Sequence, residues 1–174
     1  MPKIIKDGAV LDDCWQVIET LEDTQTTPDS IESNTLLPLT VWLSQKDKLH
    51  HRDDIGVWLN SDDSIELLAD DISQLPLIAI NFPSFMDGRG FSSARLLRER
   101  YHYTGEIRAI GYVLRDQLCY LKRCGFNAFV FADDTLDISA AVESLNDFTE
   151  AYQSAVDMPT PLFRRHRRLP HHKP

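Results

Sequence analysis

Apolar residues recur along this chain in short runs and in stripes at helical spacing, and the two alternate. Ile4-Ile5 and Val10-Leu11 flank Asp7-Gly8, a pair suited to a type I′ turn, so the first dozen residues predict a β-hairpin. A polar stretch from Thr24 to Thr35 reads as a loop. Five apolar runs then predict strands over Leu39–Leu43, Ile55–Leu59, Leu77–Phe82, Ile107–Gly111 and Ala128–Ala132. Between them lie helical patterns. Ile65, Leu68, Ile72 and Leu75 share one face, and Ser92 is placed to cap a helix running to His102. Leu114, Leu118 and Leu121 mark a third helix, with Gly125 just past its end. From Ile138 to Ala155, residues Ala141, Val142, Leu145, Phe148 and Tyr152 extend a single stripe that predicts one long final helix.

Strands alternating with helices over short connections imply right-handed crossovers and a parallel sheet. The expected fold is α/β, with about five parallel strands alternating with helices and an N-terminal β-hairpin attached; a partial β/α barrel fits the same periodicity. Residues 1–158 are expected to form one α/β domain, and 159–174 a basic, flexible tail. Trp42 and Trp58 would hold matching places in two successive strands.

Charge changes the picture next. The 174 residues carry 18 Lys+Arg and 27 Asp+Glu, a formal net charge of −9. The tail holds five bases and no acid, so the first 158 residues carry 13 bases against 27 acids. Met1 to Leu75 is strongly acidic, at net −11, whereas Arg89 to Arg123 is net +5. An acidic body argues against a nucleic-acid binder, which needs cations for phosphate. No signal-peptide pattern opens the chain and no run reaches membrane-spanning length, so the expected compartment is the cytoplasm, with no membrane partner. Three cysteines suit neither a disulfide framework nor an iron–sulfur cluster, and Cys119 and Cys124 read as core thiols. His50-His51 has no partner at ligand spacing, so no metal site is expected.

In an open parallel sheet, ligands gather beyond the carboxyl ends of the strands. Asn81, Asp87 and Arg89 follow the third expected strand. Tyr112, Arg115 and Asp116 follow the fourth, and Asp133 and Asp134 the fifth. The turn Asp87-Gly88-Arg89-Gly90 before Ser92 combines tight glycines, a helix start and a forked cation, a combination that can cradle an anion. The same turn can be only punctuation, with Asp87 pairing Arg89. It is not a dinucleotide fingerprint, because Ser93 stands where the third glycine belongs. Arg108 interrupts an apolar strand, where a charge must be paired or used; Glu106, Asp116 and Asp133 are the partners in reach by sequence. The expected anion- or substrate-binding set is therefore Asp87, Gly88, Arg89, Gly90, Ser92, Arg108, Arg115 and Asp116. No catalytic residue and no cofactor is assigned.

The runs Phe82-Pro83, Asp87-Gly88-Arg89-Gly90-Phe91-Ser92, Ala94-Arg95-Leu96-Leu97-Arg98-Glu99, Gly105-Glu106-Ile107-Arg108-Ala109-Ile110-Gly111, Val113-Leu114-Arg115-Asp116-Gln117 and Arg123-Cys124-Gly125-Phe126 together resemble the bacterial DUF934 family. That family has no established activity and is labelled a probable oxidoreductase of sulfite reduction, because its genes accompany those of assimilatory sulfite reductase. The resemblance implies an accessory protein of that reaction, acting with sulfite reductase or its electron donor and holding sulfite or a related small anion near Arg89 and Arg108. The acidic first half would then offer a face to a basic partner. The family usually carries an acid in a Gly-Asp-Val segment where this chain has Gly111-Tyr112-Val113, so no essential acid/base role attaches to that position. The alternative is a stand-alone small-molecule enzyme, an oxidoreductase or acid/base catalyst, with Asp87 or Asp116 moving the proton and Arg89 and Arg108 clamping the anion.

Overall fold

The computed structural model describes residues 2–19, 31–132, 137–148 and 150–165. Strand β1 (Lys3–Lys6) turns into β2 (Ala9–Asp12) through Asp7 at φ 50° and Gly8 at φ 80°. The expected hairpin is present. After β3 (Gln16–Val17) come β4 (Thr35–Pro38), α1 (Leu39–Leu49) and β5 (Ile55–Leu59). Next are β6 (Leu77–Phe82), α2 (Arg89–Glu99), β7 (Glu106–Gly111), α3 (Leu118–Cys124) and β8 (Ala128–Phe129). Two short helices, α4 (Ile138–Ser144) and α5 (Leu162–Arg165), complete the described elements.

All eight strands form one sheet in the order β2-β1-β8-β7-β6-β5-β4-β3. From β3 to β8 every neighbouring pair is parallel, while β1 runs antiparallel to β8 and to β2. Strands β4 to β8 follow one another in chain order. Right-handed crossovers in a steady direction place α1, α2 and α3, the helices between parallel strands, on the same face, as in a β/α barrel. The outcome is the barrel-like form of the expected fold, a curled half-barrel.

The chain shows how far the sheet curls. β2 and β3 lie at opposite edges, yet only Asp13, Cys14 and Trp15 join them. Laid flat, eight strands would put those edges roughly 33 Å apart, whereas the connection from Asp12 to Gln16 reaches at most about 14 Å. The edges must bend toward each other, and the link crosses the hollow side.

Strand residues alternate between the two faces. On the helix side, Val57, Ile78, Ile80, Phe82, Ile107, Ala109 and Phe129 join Trp42, Leu97, Leu118 and Ala141 in one core. On the concave side, Leu36, Leu77, Ala79 and Ile110 form a smaller cluster with Trp15, Trp58 and Val130 against it. The near-continuous apolarity of β6 follows, since both faces of that strand are covered.

Several local expectations change, and the fifth expected strand is shorter than Ala128–Ala132, with β8 covering Ala128–Phe129. Leu39–Leu43 is not a strand: the strand lies one step earlier, and Pro38 ends its ladder and opens α1, where Leu39 and Trp42 sit one helical turn apart and face inward. Trp42 and Trp58 therefore do not share matching strand positions. The stripe from Ile65 to Leu75 forms two 3₁₀ turns, Ile65–Leu68 and Ile72–Gln74, broken where Asp71 accepts hydrogen bonds from Trp42 Nε1 (3.2 Å) and Lys46 Nζ (3.1 Å). Helix α2 starts at Arg89, so Ser92 lies inside it. The final helix ends at Ser144, where Asn146-Asp147 favour a turn, leaving Phe148 and Tyr152 73% and 74% exposed. Part of the expected basic tail, Leu162–Arg165, forms α5; the rest lies outside the described residues, as do Asp133, Asp134 and most of the Thr24–Thr35 loop. Among the described residues no helix is long and apolar enough to cross a membrane.

Candidate functional site

Strand β7 puts Arg108 on the concave face between two alanines, Ala79 on β6 and Ala128 on β8. These small neighbours leave room for a guanidinium. The side chain is 3% exposed and fully engaged on one side: Nε donates to Glu106 Oε1 at 2.7 Å, and Nη1 to both oxygens of Asp13 at 3.0 Å. Lys6 Nζ meets the other oxygen of Glu106 at 2.7 Å. Two cations thus balance two carboxylates. Nη2 has no hydrogen-bond partner among the described residues, and it is not sealed from solvent.

Arg108 lines a cavity of about 390 Å³. Trp58, Asn81, Ile110, Gly111 and Val130, at or just past the carboxyl ends of β5 to β8, form its sheet wall. Asp13 from the link between β2 and β3, Val17 from β3 and Glu19 just after it complete the lining. The site thus lies where strand ends meet, as expected for parallel sheets, but inside the curl. Gly111 is required there: at φ 83° a side chain is strained, and a Cβ would run into Asn81 Oδ1 and the Phe82 carbonyl. Asn81 Nδ2 donates to Asn60 Oδ1 at 3.0 Å, tying the rim of β6 to the loop after β5.

The other expected site residues are placed elsewhere. Arg89 donates from Nε (3.0 Å) and Nη2 (2.7 Å) to Asp87, and from Nη2 to Ser61 Oγ at 2.9 Å. Asp87 Oδ1 also accepts from the Arg89 backbone N–H at 3.2 Å, at the start of α2. The anion at this helix terminus is the protein's own carboxylate. Arg89, and after it Ser61, hold the Asp87 carboxyl far below the usual aspartate range. Gly90 serves packing, since a Cβ would lie 2.8 Å from Phe82 Cζ and 2.9 Å from Ile80 Cγ2. A Cβ on Gly88 would make only an ordinary contact, 3.7 Å from Phe91 Cδ2. Ser92 is exposed on α2, and Arg115 Nε donates to Ser144 Oγ at 2.6 Å. Asp116 is exposed at the start of the 3₁₀ turn before α3. Of the eight residues, Arg108 lines the cavity and the other seven are not among its lining residues.

The positive stretch from Arg89 to Arg123 is spent in the same distributed way. Arg95 pairs with Glu99, Lys122 donates to Asn146, and Arg98 donates to the carbonyls of Tyr103, Gly105 and Gly125 and to Asn127 Oδ1. Cys119 and Cys124 are buried on α3, and burial pushes the Cys124 thiol up. Among the described residues no group of three or more His, Cys, Asp or Glu side chains could hold a metal ion.

Asp13, Trp58, Asn81 and Gly111 were absent from the expected set. Gly111 was legible as the glycine ending an apolar strand, and Trp58 as an aromatic in another. Asp13 has no local signal, because its partner is 95 residues away.

The family model described as "Bacterial protein of unknown function (DUF934)" matches residues 56–163. That span contains the sheet wall of the cavity, whereas Asp13, Val17 and Glu19 precede it. No curated protein matches the chain.

Proposed function

This chain belongs to the DUF934 family, and from that premise we propose that it is an accessory protein of assimilatory sulfite reduction. In this reading it docks to sulfite reductase or its electron donor and holds sulfite or a related small oxyanion in the concave cavity. The observation that carries the ligand half is Arg108, a buried guanidinium at the wall of a 390 Å³ cavity whose Nη2 has no partner among the described residues. Nη2 is open to solvent, and a ligand oxygen there would take the place of water in a charge-assisted hydrogen bond.

Holding fits the geometry better than acid/base chemistry at the residues first considered for it. Asp87 stays ionised beside Arg89 and is a poor proton carrier near neutral pH. Asp116 is exposed and absent from the cavity lining. The balanced cluster around Arg108 also suits modest affinity, which a protein that hands its ligand onward needs. The acidic N-terminal half supplies the docking face, through attraction that steers a basic partner.

The test is co-purification of the tagged full chain with purified sulfite reductase and its electron donor, alongside sulfite titration followed by tryptophan fluorescence, since Trp58 lines the cavity. A retained complex and a saturable signal are expected. Failure to associate, together with unchanged sulfite reduction in a deletion strain, sinks the proposal.

A further inference from the structure

We propose that Asp13 makes the cavity select oxyanions that still carry a hydrogen over fully deprotonated ones. The inference rests on the oxyanion reading of the cavity and specifies its ligand class. Asp13 is 8% exposed, lines the cavity and sits on Nη1 of the guanidinium whose Nη2 has no hydrogen-bond partner among the described residues. Its Oδ1 accepts from Nη1 and from the Trp15 backbone N–H (3.1 Å), whereas among the described residues Oδ2 accepts from Nη1 alone and keeps acceptor capacity. Arg108 and Asp13 both line the cavity and are joined through Nη1, so the unpartnered donor and the spare acceptor are neighbours there.

Charge narrows the choice further. Arg108 and Lys6 are already matched by Asp13 and Glu106, and Glu19 adds another carboxylate to the wall. Every added negative charge on a ligand is unbalanced here, and every bare oxygen turned toward Asp13 meets a like charge. A ligand with one oxygen for Nη2 and one hydrogen for Oδ2 satisfies both groups. Sites built to hydrogen-bond a ligand hydrogen reject analogues that lack it, because a buried polar group is then left unpaired.

Phosphate and sulfate separate the two kinds of ligand, being alike in shape while only phosphate keeps a proton near neutral pH. Calorimetric titration of the full chain with sodium phosphate, sodium sulfate and sodium sulfite at matched ionic strength is the experiment. Wild type is expected to bind phosphate and sulfite about tenfold or more tightly than sulfate. Asp13→Asn, which removes the charge and offers an N–H, is expected to close or reverse that ratio. If Asp13→Asn does not fold, judged by its melting curve, Asp13→Ser reads the same ratio. Equal binding of sulfate and phosphate by wild type overturns the selection while leaving the oxyanion reading standing, and so does a preference that persists in the folded variant. No binding of any of the three salts overturns the oxyanion reading itself.

Discussion

Two glycines two residues apart in one turn do different work. A methyl group on Gly90 meets Phe82 and Ile80 inside 3.0 Å, whereas on Gly88 its nearest neighbour is Phe91 Cδ2 at 3.7 Å. Gly90→Ala is therefore expected to cost about 1–3 kcal/mol in urea unfolding, since α2 must lift from β6, while Gly88→Ala stays within about 0.5 kcal/mol. Equal effects would contradict the packing role. The sequence left both an anion cradle and a plain turn with Asp87 pairing Arg89 open, because a turn glycine looks the same whether a ligand or a phenylalanine lies opposite; the Asp87–Arg89 pair is the one present. Arg108 was legible for the opposite reason: a cation inside an apolar strand needs a partner on any fold, and one of the three named, Glu106, is there. Its second partner, Asp13, was beyond reach, because pairing across a curled sheet leaves no trace in local spacing.

Elements were legible where both ends carry punctuation. β6, between Pro76 and Pro83, is found at its expected bounds, and α3 ends at Gly125, whose φ of 111° admits few other residues. The strand expected at Leu39–Leu43 slipped because Leu36 to Leu43 is apolar at every position but Thr40, and the shift from strand to helix at Pro38 follows from tertiary packing of Trp42 rather than from propensity. Arg98 joins elements at the end of the sheet away from the cavity. From α2 its guanidinium gathers carbonyls at Tyr103 and Gly105 before β7 and at Gly125 before β8. Arg98→Ala is expected to lower stability by about 3 kcal/mol in urea unfolding, as several buried acceptors lose a charged donor together. Arg98→Lys should restore little of it, because an ammonium cannot copy the planar fork. Near-full recovery by lysine would mean that charge alone matters there.

For the whole molecule, the N-terminal hairpin is the strand pair that shields the last parallel strand. Ile4 and Ile5 are buried at 3% and 0% exposure, and β1 covers the edge of β8. Deleting residues 2–12 is expected to cost about 4 kcal/mol or more from those two side chains and to bare an edge that pairs with other chains. Size-exclusion profiles that grow with concentration are the expected readout; a monodisperse, equally stable truncation would show that the hairpin is ornamental to the fold. Its partners also set an order of events. Asp7 is hydrogen-bonded to Asn127, 120 residues later. On a ribosome adding roughly 5–20 residues per second, β1 waits on the order of ten seconds for β8, the later strand it must join. During that interval β4 to β7 can stack in order of synthesis while the hairpin stays unclaimed, so the chain is completed by its own beginning, and its birth is the period when a chaperone has most to hold.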